Sequence, residues 1–288
     1  MTNPAIPGIR KYLRKMPLAY QALGLFKRMA FETQLFRQNL KFRKSDGMAG
    51  DGRPLPPPRL RYRVHGQIHE NTFLEGGKNI ASDIKTILAE HHRPIDQCHS
   101  YLDFGCGCSR VLRYFFSAGS SVRFSGTDID PEAIEWNRRH FKHDANWAVN
   151  SPDPPADYPD DQFEVIVGIS VFTHLDEALQ YAWLEELQRI LAPNGVAILS
   201  VHGDSVWESY PDLTEKMNRS GFHFLKNYIG MWNFAGLPDF YQVTFHSKAY
   251  IERNWSKYFD IVHYADGAIG NHQTVVVLRK RESLDTSQ

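Results

Sequence analysis

Residues 101–110 read YLDFGCGCSR, and two chemistries compete for such a stretch. Gly105 and Gly107 permit backbone angles and a close approach that a Cβ would block, which suits a loop wrapped around a ligand. Cys106 and Cys108, with Cys98 just upstream, are thiols of the kind that hold a metal. A metal would need two further ligands at useful spacing, and only Cys98 and scattered histidines are at hand. No metal is therefore expected, and the cysteines read as small fillers. A second candidate is Asp128, in GTDIDPEAI, 25 residues after Asp103. A carboxylate at a strand end is free to accept two strong hydrogen bonds; alternatively, Asp128 or Asp130 caps the helix that follows. His174 in FTHL, His202 in SVHG and His246 in TFHS are candidates to take a proton from a hydroxyl. Each could equally be a hydrogen-bonded structural histidine.

Regular alternation positions these residues. SYLDF (100–104), VRFSGTD (122–128), NWAV (146–149), FEVIVGIS (163–170) and VAILSV (196–201) read as strands. RVLRYFFSA (110–118), PEAIEWNRRHF from Pro131 and LDEALQYAWLEELQRIL (175–191) read as helices between them. The nearly continuous apolar run at 163–170 marks a strand buried on both faces. Strand–helix alternation of this kind gives a parallel sheet covered by helices. The glycine loop then sits at the C-terminal end of the first strand, where open α/β sheets bind ligands, with the N–H groups of the helix expected at 110 facing an anion. Farther along, SKAYIERNWSKYF (247–259) reads as a helix capped by Ser247, and DIVHYA and QTVVVLRK read as two strands.

A dinucleotide loop reads G-x-G-x-x-G and needs glycine at position 110, where this chain has Arg110. The spacing Asp103-x-Gly105-x-Gly107-x-Ser109 instead resembles the first motif, D-x-G-x-G-x-G, of class I S-adenosylmethionine-dependent methyltransferases, with Ser109 in place of the third glycine. GTDIDPEAI, DQFEVIVGISVFTHLDE and LQRILAPNGVAIL are similar to later elements of that family, and the resemblance covers roughly Tyr101 to Val201. It implies a Rossmann-like seven-stranded, mostly parallel sheet ending in an antiparallel hairpin. It also implies methyl transfer from S-adenosyl-L-methionine, leaving S-adenosyl-L-homocysteine. By that resemblance Asp103, Gly105, Cys106, Gly107, Asp128, Ile129, Asn150 and Ile169 hold the cofactor, Asp128 at the ribose hydroxyls, Ile129 on the adenine and Asn150 at the adenine amine. Three features depart from the family: asparagine stands at 150 where aspartate is frequent, SPDPPADYPDDQ is too rich in proline for the usual short helix, and Glu164 replaces an aspartate. A nicotinamide-dependent oxidoreductase and a non-catalytic partner protein that binds the same cofactor remain as alternatives.

Two segments lie outside this pattern. Residues 1–45 carry ten basic residues against one acid, Glu32, although the whole chain has zero formal net charge. Leu18, Ala22, Leu25, Phe26 and Met29 follow helical spacing there. Such an arm either packs on its own domain or lies on an anionic membrane through residues 8–44. Met16–Phe26 could pass for the core of a secretory signal, but Lys27-Arg28 follow where a small-residue cleavage site belongs. GDGRPLPPPRL (50–60) is too rich in proline and glycine for a helix or central strand, so a boundary is expected between an arm and linker (1–58) and the main domain (59–288). NIASDIKTILAEH (79–91) begins that domain as a helix. Residues 203–246 form an aromatic-rich insertion, expected to build a lid or substrate pocket, with Tyr228 and Trp232, together with Phe172, facing the acceptor.

Neutral overall charge gives no reason to expect nucleic acid. Cysteines without a disulfide framework favour a reducing, cytoplasmic setting, with the arm at the inner membrane surface. The acceptor expected is a small molecule or glycan, methylated on O or N.

Overall fold

The computed structural model describes residues 17–117, 120–226, 242–270 and 272–281. Seven strands form one sheet in the order β3-β2-β1-β4-β5-β9-β8. They are β1 (Ser100–Phe104), β2 (Arg123–Asp128), β3 (Asn146–Val149), β4 (Phe163–Gly168), β5 (Leu191–Val201), β8 (Phe259–Ile269) and β9 (Gln273–Lys280). β3 through β5 are mutually parallel, while β9 runs antiparallel to both β5 and β8. The Rossmann-like α/β fold with its antiparallel C-terminal pair is therefore present.

The sheet buries both faces because side chains alternate along each strand. Leu102, Ile166, Leu199 and Val276 pack on one side with Trp183 and Leu187 of helix α5 (Glu177–Ile190) and with Trp255, just beyond helix α8 (Lys248–Asn254). Tyr101, Val165, Ile198 and Val277 pack on the other with Ile80, Ile84 and Leu88 of helix α3 (Glu70–Glu90). Each fully buried aliphatic side chain stabilises the fold by roughly 1.5–3 kcal/mol. Helix α4 (Pro131–His140) follows β2, with Pro131 in its first turn and Asp130 as its cap.

Several elements differ from the sequence-based expectation. No α-helix follows the glycine loop: residues 112–114 make a single 3-10 turn. The sheet face such a helix would cover is taken by α3, against which Leu112 and Phe115 pack. Gly77 makes this possible, because a Cβ there would lie 2.1 Å from the Arg110 carbonyl oxygen. α3 also starts at Glu70, nine residues before the apolar stripe at 79–91. β5 begins at Leu191, with Ala192–Gly195 looped out between its pairings to Phe163 and Val165.

Upstream, helix α1 (Pro17–Lys44) is followed by helix α2 (Pro58–His65), which begins inside the proline-rich stretch. Proline is tolerated there because it occupies the first turn, where its missing N–H costs nothing. The rest of that stretch hugs the domain: Leu55 is buried, and buried Arg113 donates to the Pro54 carbonyl at 2.8 Å. Within 203–246 the described residues form helices α6 (Asp204–Trp207) and α7 (Pro211–Ser220) and the hairpin strands β6 (Phe222–Leu225) and β7 (Val243–His246). Val206, Trp207, Leu213, Met217 and Phe245 bury one another as a subsidiary core. Tyr228 and Trp232 lie outside the described residues.

Candidate functional site

The glycine loop leaves β1 on a tight course. Gly105 (φ +80°) and Gly107 (φ +50°) both lie in the left-handed region. A Cβ on Gly105 would stand 2.3 Å from a Val171 methyl, and one on Gly107 2.5 Å from a Val64 methyl. Ser109 also has positive φ, +56°, and here the conformation is held by a hydrogen bond from Ser109 Oγ to Asn137 Oδ1 at 2.9 Å. Asn137 Nδ2 in turn donates to the Gly107 carbonyl at 2.8 Å. One α4 side chain thus clamps the loop at two points, and serine serves where the resembled motif has glycine.

Asp128 ends β2 directly beside this loop. Its Oδ2 accepts from the Gly107 N–H at 2.7 Å and its Oδ1 from the Asp130 N–H at 2.9 Å. Asp130 takes the capping role instead, accepting from the Glu132 and Ala133 N–H groups. A carboxylate offers about four lone-pair sites, so Asp128 keeps acceptor capacity after these two bonds. Burial pushes its pKa up to about 6, with the backbone N–H groups of Asp130, Gly107 and Ile129 pulling the other way. Asp103 is buried too, and burial, then the nearby Asp128 charge, lift it to about 7 while Arg110 opposes them.

These groups wall a cavity of about 420 Å3, within the range of small-molecule sites. All eight residues expected to hold the cofactor line it: Asp103, Gly105, Cys106, Gly107, Asp128, Ile129, Asn150 and Ile169. Asn150 Oδ1 accepts from Thr127 Oγ at 2.9 Å, so an adenine amine must use its second lone pair. The cavity fits an adenosyl amino acid. It has a loop without Cβ atoms, a carboxylate with spare acceptors, and apolar Ile129 and Ile169 for a ring.

The sequence reading missed the contribution of α2. Arg63 and Val64 line the cavity. Arg63 Nη1 reaches Asp130 Oδ2 at 2.9 Å and Glu132 Oε2 at 2.7 Å, tying α2 to the start of α4. Arg110 lines the wall as well, with Nη1 3.0 Å from His65 Nδ1. The cavity therefore presents two guanidinium groups beside its acids, and the helix N-terminus expected after the loop is absent.

The three histidines part company. His174 lines the cavity, its Nδ1 2.6 Å from the Gln242 carbonyl oxygen, and burial lowers its pKa to about 4. His202 does not: its ring turns to the insertion, 3.1 Å from the Thr244 carbonyl and packed against Phe245. His246 is fully buried, with Nε2 2.9 Å from Gln180 Oε1. Phe172 is likewise outside the wall, buried with its ring against Trp255. The place of His202 at the end of the fifth strand suggests the cleft, but the side chains of both histidines are absorbed by packing.

The thiols behave as packing groups. Burial raises Cys98 to about 11 and Cys108 to about 12, and raises Cys106 in the same sense. His65 and His69 stand four apart but turn to different partners, Arg110 and Gln38. Among the described residues no group of three or more metal-ligating side chains is arranged to hold an ion.

Comparison with known proteins agrees with this geometry. Residues 102–197 match the family model described as "Methyltransferase domain". A SAM-dependent methyltransferase of Methanosarcina mazei is 17% identical, with 68% of this chain and 98% of that one covered and a TM-score of 0.50. The 1,6-didemethyltoxoflavin-N1-methyltransferase of Burkholderia thailandensis, solved with 1,6-didemethyltoxoflavin and S-adenosylhomocysteine, is 16% identical; 80% of this chain and 92% of that one are covered, with a TM-score of 0.52. Likeness at this identity bears on the fold, and the matched segment holds the glycine loop and Asp128. Residues 102–197 thus match a methyltransferase domain model, on a Rossmann-like α/β fold.

Proposed function

We propose that the chain methylates an oxygen or nitrogen of a small molecule or glycan. The reading rests on one observation above all: the Asp128 carboxylate, anchored by the Gly107 N–H, faces the same cavity as the glycine loop. S-Adenosylmethionine, when bound, supplies an electrophilic methyl on a sulfonium. Asp128 is placed to accept from the ribose hydroxyls, and Ile129 and Ile169 to flank the adenine. In this reading Asp103 meets the ammonium of the methionine portion and Arg110 its carboxylate.

Holding the acceptor in line with the methyl supplies much of the rate. His174 is the side chain best placed to take a proton from a hydroxyl acceptor. The contact of Nδ1 with the Gln242 carbonyl oxygen orients the ring at the cavity wall. Burial lowers its pKa to about 4, which keeps the ring neutral at working pH and makes it a weak base. A setting beside an anionic membrane, through the arm, suits a glycan or amphiphilic acceptor.

The dinucleotide alternative is disfavoured because the third glycine of its loop is Arg110. The test is transfer of labelled methyl from S-adenosylmethionine into a panel of sugars, phenols and amines. Turnover with at least one member supports the reading. Tight S-adenosylhomocysteine binding without transfer to any member favours the non-catalytic partner.

A further inference from the structure

Helix α1 has two apolar faces, and among the described residues only one is covered. Phe31 and Leu35 are buried against Tyr62 of α2 and against Ile68, the Phe31 and Tyr62 rings lying 4.5 Å apart. Leu25, Phe26, Met29, Phe36 and Leu40 are exposed, between 45% and 69%. Five of the eight exposed large apolar side chains among the described residues thus stand on this helix. At 3.6 residues per turn they form one stripe, centred about 140° around the helix from the buried pair. Arg28 and the acid Glu32 border it on one side and Arg37 and Lys41 on the other, with Arg43 and Lys44 at its C-terminal end, all exposed.

We propose that this outer face of α1 docks on an anionic phospholipid surface, the helix lying in the plane of the bilayer. An apolar strip sinks into the acyl boundary while flanking cations reach the headgroups. Charge decides the occupant. Two copies meeting through this face would bring together arms with ten basic residues and one acid each, a repulsive match. A bilayer carrying phosphatidylglycerol meets both features. The inner face of α1 packs on α2, which supplies Arg63 and Val64 to the cavity wall. Docking therefore holds the donor site within about two helix diameters, or about 20 Å, of the lipid, where a lipid-linked glycan or another amphiphile is presented. This last point rests on the methyltransferase reading; the docking itself does not.

The experiment is cosedimentation of the full chain with phosphatidylcholine vesicles, with and without phosphatidylglycerol, alongside calorimetric titration with S-adenosylhomocysteine. One variant removes the stripe (Phe26→Ser, Met29→Ser, Phe36→Ser) and another reverses charge (Arg37→Glu, Lys41→Glu, Arg43→Glu). Point variants are preferable to deletion of the arm, which would uncover Tyr62 and Ile68. The wild-type chain is expected to bind phosphatidylglycerol vesicles at least about tenfold more tightly than phosphatidylcholine alone. Both variants are expected to lose about tenfold or more of that binding while keeping their S-adenosylhomocysteine affinity. Equal binding to both vesicles, no binding, or retention by the stripe variant overturns the proposal. So does a wild-type dimer by light scattering that becomes monomeric in the stripe variant without any vesicle binding. Vesicle binding without S-adenosylhomocysteine binding supports the docking and counts against the methyltransferase reading instead.

Discussion

The Gly107 N–H donates to Asp128 Oδ2 across 2.7 Å, joining the loop after β1 to the acid that ends β2. The bond orients the carboxylate before any ligand arrives and leaves lone pairs that, in the proposed reading, accept from the ribose hydroxyls. Asp128→Ala is expected to weaken S-adenosylhomocysteine binding more than tenfold, about 1.4 kcal/mol or more. Calorimetry checks this, and a smaller loss argues against the ribose role.

Gly107→Ala sets a Cβ against Val64 at a left-handed φ. Destabilisation of about 1 kcal/mol or more is expected, lowering Tm by roughly 2–4 °C, with loss of cofactor affinity. Adding Val64→Ala relieves the clash but not the backbone strain, so the double variant should recover part of the affinity. Thermal melts with and without S-adenosylhomocysteine read both effects.

Asp103 carries a pH signature. Its folded pKa, raised by burial to about 7 from an ordinary value of 3.8, means that the folded chain binds the proton more tightly than the unfolded chain. Its contribution to stability is present below about pH 4 and is lost as pH rises to about 7. Asp103→Asn removes that ionisation. The Tm difference between variant and wild type should therefore move in favour of the variant between pH 4 and 7 and level off above. A difference independent of pH contradicts the buried-carboxyl account.

The histidines separate by what they change. His174→Gln should lower kcat for a hydroxyl acceptor by roughly 10²–10⁴ and leave S-adenosylhomocysteine affinity intact. His246→Ala should instead cost about 2 kcal/mol of stability, because it removes a buried ring and strands the Gln180 side chain. Steady-state kinetics beside thermal melts distinguish the two, and an unchanged kcat for His174→Gln removes it as the base.

The elements that read correctly are those governed by local pattern. FEVIVG is apolar throughout because β4 is covered on both faces, and Pro131 after Asp130 announces a capped helix start. The sequence left Asp128 and Asp130 both open as the cap, and only the structure shows that Asp130 takes that role. Tertiary contacts escaped. RVLRYFF has helical apolar spacing, but α3, let in close by Gly77, takes its place on the sheet. The prolines before Leu60 hid α2, and with it Arg63 and Val64. The fifth strand read correctly up to His202, but neither that strand end nor the position of His246 before the last helix carries information about whether the two rings turn to the cavity or to the insertion.

Binding of the donor's product is the most direct test of the central claim that the β1 loop and Asp128 cradle an adenosyl amino acid. Titration of the purified full chain with S-adenosylhomocysteine should give saturable heat with a micromolar dissociation constant, undisturbed by NAD. No heat at millimolar S-adenosylhomocysteine, or its displacement by NAD, contradicts it.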